Sequence, residues 1–235
     1  TTSAGKSGDH YVLNGIKTWI SNAGIADQYT VFARTGEGPG TRGLSAFIVD
    51  TGTPGFAVGE TNEMLGLRGS GAVDVLLREC RVPKGNLLGG LNQGFEIARD
   101  VVEGGRIDIA AQAVGIGEAC LEQSIAKAKD RKQFGRPIAE FEAIQWMVAD
   151  MSTEIDAARL LAFRAAAMRA TNPGDAGLTK AAAMAKLFAS EAANRAAYNA
   201  LQIFGGHGYL TEYPVERYFR DARAMTLYEE TSEIE

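Results

Sequence analysis

The sequence changes texture once, near residue 88, and that change predicts a β-rich unit followed by a helical one. Up to about Pro83 the chain is strand-like. Tyr11-Val12-Leu13 and Ile16-Lys17-Thr18-Trp19-Ile20 flank Asn14-Gly15, a pair that tolerates positive φ and predicts a hairpin turn. Further β-rich runs cover Tyr29 to Arg34, Leu44 to Asp50 and Val73 to Cys80. Gly- and Pro-bearing turns, Gly36 to Gly43 and Thr51 to Gly55, lie between them. Short strands at this spacing predict an antiparallel sheet folded into a barrel or sandwich. From about Leu91 the residues become helical and Ala-rich. Phe141, Ile144, Val148, Met151 and Ile155 alternate steps of three and four, giving one apolar stripe on a long helix, with Pro137 near its first turn. Thr171 to Asp175 breaks the pattern. A second long helix runs from about Leu178 to Phe204 and stops at Gly205-Gly206 in an αL conformation, and Pro214 opens a shorter one. With the segment around Ile107 to Lys129 this makes a helical bundle. The fold class is therefore α+β, with a β domain over residues 1–88 and a four-helix domain over residues 89–235.

Composition narrows the partners. The chain is 46% hydrophobic and 23% charged, with a formal net charge of -5, and no Lys/Arg-rich run favours nucleic acid or an anionic membrane surface. No apolar stretch reaches the roughly 18 residues that cross a bilayer, which predicts no membrane insertion. The two cysteines, Cys80 and Cys120, lack zinc-ligand spacing and are read as reduced and buried, in keeping with an intracellular compartment. The first residues carry no signal pattern, and the last ones stop where a helix begins, so both ends read as cuts in a longer protein.

Four short segments stand out, each with a plainer alternative. Trp19-Ile20-Ser21-Asn22 follows a strand and offers an indole and a hydroxyl to a flat aromatic cofactor; taken alone, a half-buried Trp with Ser-Asn closing a turn is the more ordinary explanation. Gln202-Ile203-Phe204-Gly205-Gly206-His207-Gly208-Tyr209 follows a long helix, and its glycines let a pyrophosphate approach the backbone; a helix C-cap is the alternative. Asp130 to Arg136 joins two helices, where Arg131 can hold a phosphate and Phe134 can stack on a base, or the segment is a solvated charged loop. Tyr228 to Glu233 holds three carboxylates, either a capping box at Thr231 or Ser232 or a carboxylate poised to remove a proton.

Taken in order, WISN, RKQFGRP, QIFGGHGY and YEETSEI resemble the acyl-CoA dehydrogenase family, most closely its short-chain members. GGRIDIAAQAVGIGEA, AAAMAKLFASEAA and TEYPVERYFRDAR look like that family too, so the resemblance spans essentially the whole chain. It implies a middle β domain and a C-terminal helical domain, without the family's N-terminal helical domain. It implies FAD lying between the two, with Trp19, Ile20 and Ser21 flanking the flavin ring. Gln202, Gly205, Gly206, Arg131 and Phe134 would serve the ADP half, often across a subunit contact. Thr231, Ser232 and Glu233 match the last flavin-proximal segment, and Glu142 stands where short-chain members carry a Gln near FAD.

The implied reaction is α,β-dehydrogenation of an acyl-CoA to a trans-2-enoyl-CoA, as in fatty-acid β-oxidation. Glu229 would remove the α-proton and flavin N5 would accept the β-hydride, the electrons passing on to an electron-transferring flavoprotein. The Glu229 backbone N–H and a flavin ribityl hydroxyl would hold the thioester oxygen. Glu103, Gly104, Gly105 and Arg106 fall on the substrate-contacting segment, where some members place their base; Gly105 cannot serve, so Glu229 stays the base. Glu230, where most members have Gly, adds like charge and bulk at the thioester. It would raise the Glu229 pKa further, narrow the acyl pocket or mark an altered substrate. The resemblance also implies a homo-oligomer, dimer or tetramer, in the cytoplasm or mitochondrial matrix, the cytoplasm preferred. Two competing readings are an acyl-CoA oxidase-like relative and a catalytically inactive fragment or scaffold.

Overall fold

A computed structural model describes residues 2–37 and 40–235, and they form two compact units that divide between Val101 and Val102. The first is built on a seven-stranded sheet. Its strands are β1 (Ser3–Ser7), β2 (His10–Ser21), β3 (Gln28–Arg34), β4 (Leu44–Asp50), β5 (Phe56–Thr61), β6 (Ala72–Pro83) and β7 (Leu87–Leu88). They lie in the order β5-β6-β2-β1-β3-β4-β7. The predicted antiparallel pairing holds throughout except between β1 and β3, which run parallel where Ser3 meets Arg34. Alternating residues such as Tyr11, Leu13, Val73, Val75 and Leu77 fill one core with Phe47 and Val49, because successive strand side chains point to opposite faces.

The predicted turn at Asn14-Gly15 is not one. The hairpin turns earlier, where Ser7 pairs with His10, and β2 runs straight through Asn14 as one strand. Asn14 instead faces an irregularity in β6: Leu13 pairs with Cys80 but Gly15 with Leu77, so β6 carries one extra residue. The Asn14 side chain fastens that bulge, donating from Nδ2 to Glu79 Oε1 at 2.7 Å and accepting from the Glu79 N–H at 2.8 Å. Gly15 is required there for a different reason, since a Cβ would stand 2.6 Å from Thr2 Cα. Of the predicted turn at Gly36 to Gly43, residues 38 and 39 lie outside the described residues; Thr51 to Gly55 is a turn as predicted.

The second unit is helical. Helix α1 (Gly94–Asp130, 37 residues) leads the chain into it. A two-stranded hairpin follows, β8 (Lys132–Gln133) and β9 (Arg136–Pro137), then α2 (Glu142–Thr171), α3 (Leu178–Phe204) and α4 (Pro214–Ala224). Pro137 is therefore not in the first turn of α2. It lies in β9 ahead of a single 3-10 turn, and α2 begins at Glu142, because Arg136-Pro137 is drawn into pairing with Lys132-Gln133. The apolar stripe reads correctly: Met151 and Ile155 are buried, with Ile144 and Val148 packed beside them.

Helix α3 is buried on almost every face, which is why it is made of alanine. Ala181, Ala182, Ala185, Ala189 and Ala193 pack with Ala158, Ala162 and Ala165 of α2, and such small side chains let helices approach closely. Among the described residues no helix is long and apolar enough to cross a membrane. Each unit encloses one free thiol: Cys80 on β6 and Cys120 on α1 are both fully buried, and burial raises the pKa of each, that of Cys120 to about 12.

Candidate active site

The segment after α4 lies against α1 and α3 and gathers charged groups from both. Met225 and Thr226 are buried, and the Ser232 N–H donates to Thr226 O at 3.1 Å, closing residues 226–232 into a compact loop. Tyr228 Oη donates to Gln112 Oε1 of α1 at 2.7 Å, and Ser232 Oγ bonds Glu191 Oε1 of α3 at 2.8 Å. Between these two ties stand Glu229 and Glu230, with φ of 49° and 78°. Left-handed backbone at two consecutive residues bearing side chains is costly, about 1–3 kcal/mol each, and persists only where surrounding contacts enforce it. The region 231–235 forms a turn, with Ile234 N–H donating to Thr231 O at 2.9 Å; Glu233 is exposed there, and hydrogen bonds from its own N–H and from Thr231 lower its pKa.

The Glu229 carboxylate leans on α1. A Cβ built at Gly105 would lie 2.7 Å from Glu229 Oε2, so the absence of a side chain at 105 makes the space the carboxylate occupies. Although Glu229 is an exposed residue, the atoms packed around its carboxyl raise its pKa. Burial is the largest cause; Glu230 and Asp108 push the same way, while Lys186 and Arg106 pull it down. The expected like-charge effect of Glu230 is thus present but secondary. Its carboxylate is tied off by Arg106 Nη2, and the bulk predicted at this position turns toward α1.

The other residues predicted on α1 have separate partners. Glu103 is buried and accepts from Thr179 Oγ1 on α3. Gly104 faces the Arg169 guanidinium, where a Cβ would lie 3.4 Å from Cζ. Arg106, besides holding Glu230, brings Nε within 2.9 Å of Glu235 Oε2. Sequence reasoning missed Lys186, fully buried, and Glu235, whose side chain is buried beside Arg106. The signal was legible for the first, since Lys186 is a cation in the midst of the Ala-rich α3.

A second site lies where α3 ends. Gly205 has φ 59° and ψ -139°, so the predicted glycine stop is there, but in a region that glycine alone occupies rather than in αL. The chain then continues as a 3-10 turn over Gly205–Tyr209. A cavity of about 530 Å³ opens here, lined by Arg131, Gln133, Ile203, Phe204, Gly205, Gly206 and His207 among others. It brings Arg131 and the glycines together within one chain, and adds Gln133 and His207 from within the same motifs. Gln202 is exposed on the last turn of α3, and Glu142 is exposed at the start of α2; neither lines the cavity. Phe134 and Gly135 form the turn between β8 and β9, both with positive φ, and leave the Phe134 ring 92% exposed.

The lining of this cavity suits a phosphate-bearing cofactor. A Cβ at Gly205 or Gly206 would meet nothing within 4 Å, so the backbone faces open space that a phosphate can enter, and Arg131 supplies the opposing charge. On the first unit, Trp19 and Asn22 have φ of 60°, and the β2–β6 register slips between Lys17 and Ile20. The bulge turns the Trp19 indole outward, 70% exposed, and Ser21 closes the strand. A bulky residue in this conformation is an outlier of the kind that clusters at ligand sites.

Comparison with known proteins places the chain in a family. The profile for the acyl-CoA dehydrogenase middle domain matches residues 1–80, and that for the acyl-CoA dehydrogenase C-terminal domain matches residues 92–235. An acyl-CoA dehydrogenase of Bacillus subtilis (strain 168) is 49% identical over 236 residues, covering 100% of this chain and 61% of the relative. Subunit CarC of the caffeyl-CoA reductase-Etf complex of Acetobacterium woodii is 44% identical, with the same coverage of 100% and 61%. The solved butyryl-CoA dehydrogenase of Megasphaera elsdenii superposes with a TM-score of 0.95 at 43% identity, again over 100% of this chain and 61% of the other. The chain thus spans about three fifths of the length of these relatives. On the two profiles and the identity across its full length, the chain belongs to the acyl-CoA dehydrogenase family.

Proposed function

We propose that the protein is an FAD-dependent acyl-CoA dehydrogenase that converts a short acyl-CoA thioester into its trans-2-enoyl-CoA, with Glu229 as the base. The observation that carries this reading is the Glu229 carboxylate set against Gly105, in a loop held in an otherwise unfavourable backbone conformation and with its pKa raised by burial. FAD, when bound, supplies the acceptor for the hydride leaving the β-carbon. By the family resemblance, Trp19, Ile20, Ser21, Arg131, Phe134, Gln202, Gly205 and Gly206 are its proposed contacts, with Glu142, Thr231, Ser232 and Glu233 assigned to the same cofactor.

The protein's part is to hold the α-carbon before Glu229 and to make a carboxylate basic enough to act on it. An ordinary carboxylate is far too weak for a carbon acid beside a thioester. Raising its pKa strengthens the base, and a hydrogen bond from the Glu229 backbone N–H to the thioester oxygen stabilises the charge that develops there. Glu103, Gly104, Gly105, Arg106 and Glu230 are assigned to the substrate side. An electron-transferring flavoprotein is the proposed acceptor, a reading supported by the name of the CarC complex. Exposed Trp146, Leu160 and Phe163 on α2 suit a homo-oligomer, and two free buried thiols suit the cytoplasm.

Anaerobic addition of butyryl-CoA to the full-length protein tests this: the flavin band should bleach, and a yellow protein that no CoA ester bleaches would refute it. The rate carries a pH signature. Only ionised Glu229 can take the proton, so the limiting rate rises with pH through its ionisation. Because burial raises that pKa, the rise lies above the range of a solvated carboxylate. Stopped-flow reduction across a pH series checks this, and a rate that stays level down to about pH 4 would exclude Glu229 as the base.

A further inference from the structure

The buried cation behind the loop has no role in the reading above. Lys186, on α3, is fully buried, a placement lysine almost never takes unless it is paired. Its Nζ donates to the backbone carbonyl of Glu230, and Glu235 Oε1 stands 3.4 Å away. Glu235 takes part in a separate ion pair: its carboxylate lies within ion-pair distance of Lys186 and Arg106, which oppose the rise in its pKa that burial causes. The directed contact of Lys186 goes to the catalytic loop.

Glu230 is consequently gripped at two points, its carbonyl by Lys186 and its carboxylate by Arg106. It is the second of the two left-handed residues, and its conformation determines how the chain leaves Glu229. We propose that Lys186 is a positioning residue for the base: by holding the Glu230 carbonyl from inside the bundle, it keeps Glu229 and Glu230 left-handed and so sets where the Glu229 carboxylate stands against Gly105. This rests on the reading of Glu229 as the base. It gives Lys186 an electrostatic effect as well. The charges that act on Glu229 are Lys186 from α3, Arg106 and Asp108 from α1, and Glu230 beside it.

The test is Lys186→Met in the full-length FAD protein, since Met approximates the length of the side chain without its donor. Flavin content and the half-saturating butyryl-CoA concentration should stay within about threefold of the parent, while the limiting rate of anaerobic flavin reduction falls by at least about tenfold, as sub-ångström misplacement of a reacting group does. The pH profile of that rate should move upward, because a cation that favours ionised Glu229 is gone. A limiting rate within twofold of the parent, or a loss confined to melting temperature, overturns the proposal. If an unpaired Glu235 prevents folding, Lys186→Met with Glu235→Gln removes the charge pair together and should show the same kinetic loss. A yellow parent protein that no acyl-CoA bleaches refutes the base assignment alone. The anchoring is then decided by the crystal structure of Lys186→Met, where a Glu230 that keeps its positive φ overturns it and one that leaves the left-handed region supports it.

Discussion

Glu229→Gln should abolish flavin reduction by acyl-CoA while leaving FAD bound. The amide has nearly the shape of the carboxylate and keeps the loop's backbone, so the ties from Tyr228 to Gln112 and from Ser232 to Glu191 survive. What it lacks is a lone pair basic enough to accept a proton from carbon. General-base contributions are typically worth 10²–10⁴-fold, so a loss of roughly 10³-fold is expected. The adjacent carboxylate, Glu230, is engaged by Arg106. Anaerobic stopped-flow with butyryl-CoA, alongside the visible spectrum, reads both quantities. Undiminished reduction in a fully flavinylated variant would move the base elsewhere.

Gly105→Ala should give the opposite pairing of effects, a protein slightly more stable and much less active. Gly105 lies inside α1, where glycine costs about 1 kcal/mol relative to alanine. The methyl would arrive 2.7 Å from Glu229 Oε2, but that atom is the end of a flexible side chain and can swing away with little strain. Folding therefore gains or is unchanged, whereas the base is displaced by a good part of an ångström. A displacement of that size can cost on the order of 10²-fold in rate. Calorimetry and flavin-reduction kinetics on one preparation check the two signs together, and unaltered kinetics would mean that the carboxylate does not work from the position described.

Much of the architecture was readable from the residues. Strands β3, β4 and β6 and helices α2, α3 and α4 fall where periodicity and turn residues put them, because each buries an apolar face of its own. The failures have a common cause. Asn14-Gly15 carries a strong local preference for a turn, but the preference loses to a long pairing with β6, in which the Asn14 amide serves the partner strand. Strand β1, Ser-Ala-Gly-Lys-Ser, has almost nothing apolar to announce it and forms by pairing with β2 along its length. Pro137 was misplaced because a two-strand hairpin of so few residues leaves no pattern to read.

The site shows the same division. Motif order pointed to Arg131 and the glycines after Phe204, and the cavity at the end of α3 brings them together. Adjacency in sequence suggested that Glu230 would crowd Glu229, whereas its carboxylate goes to Arg106, more than a hundred residues earlier. Lys186 stands out in sequence as a cation within the Ala-rich α3, but its acceptor is a main-chain oxygen, which no residue type encodes.

The concealment of one sulfur in each unit has a practical consequence. Alkylating reagents must reach a sulfur to attack it, and both Cys80 and Cys120 are fully buried while the chain is folded. Iodoacetamide uptake therefore measures opening rather than exposure, and peptide mapping assigns each carbamidomethyl group to the half that came undone. Labelling at one position ahead of the other would reveal that the sheet and the bundle melt in succession, with no engineered probe in either.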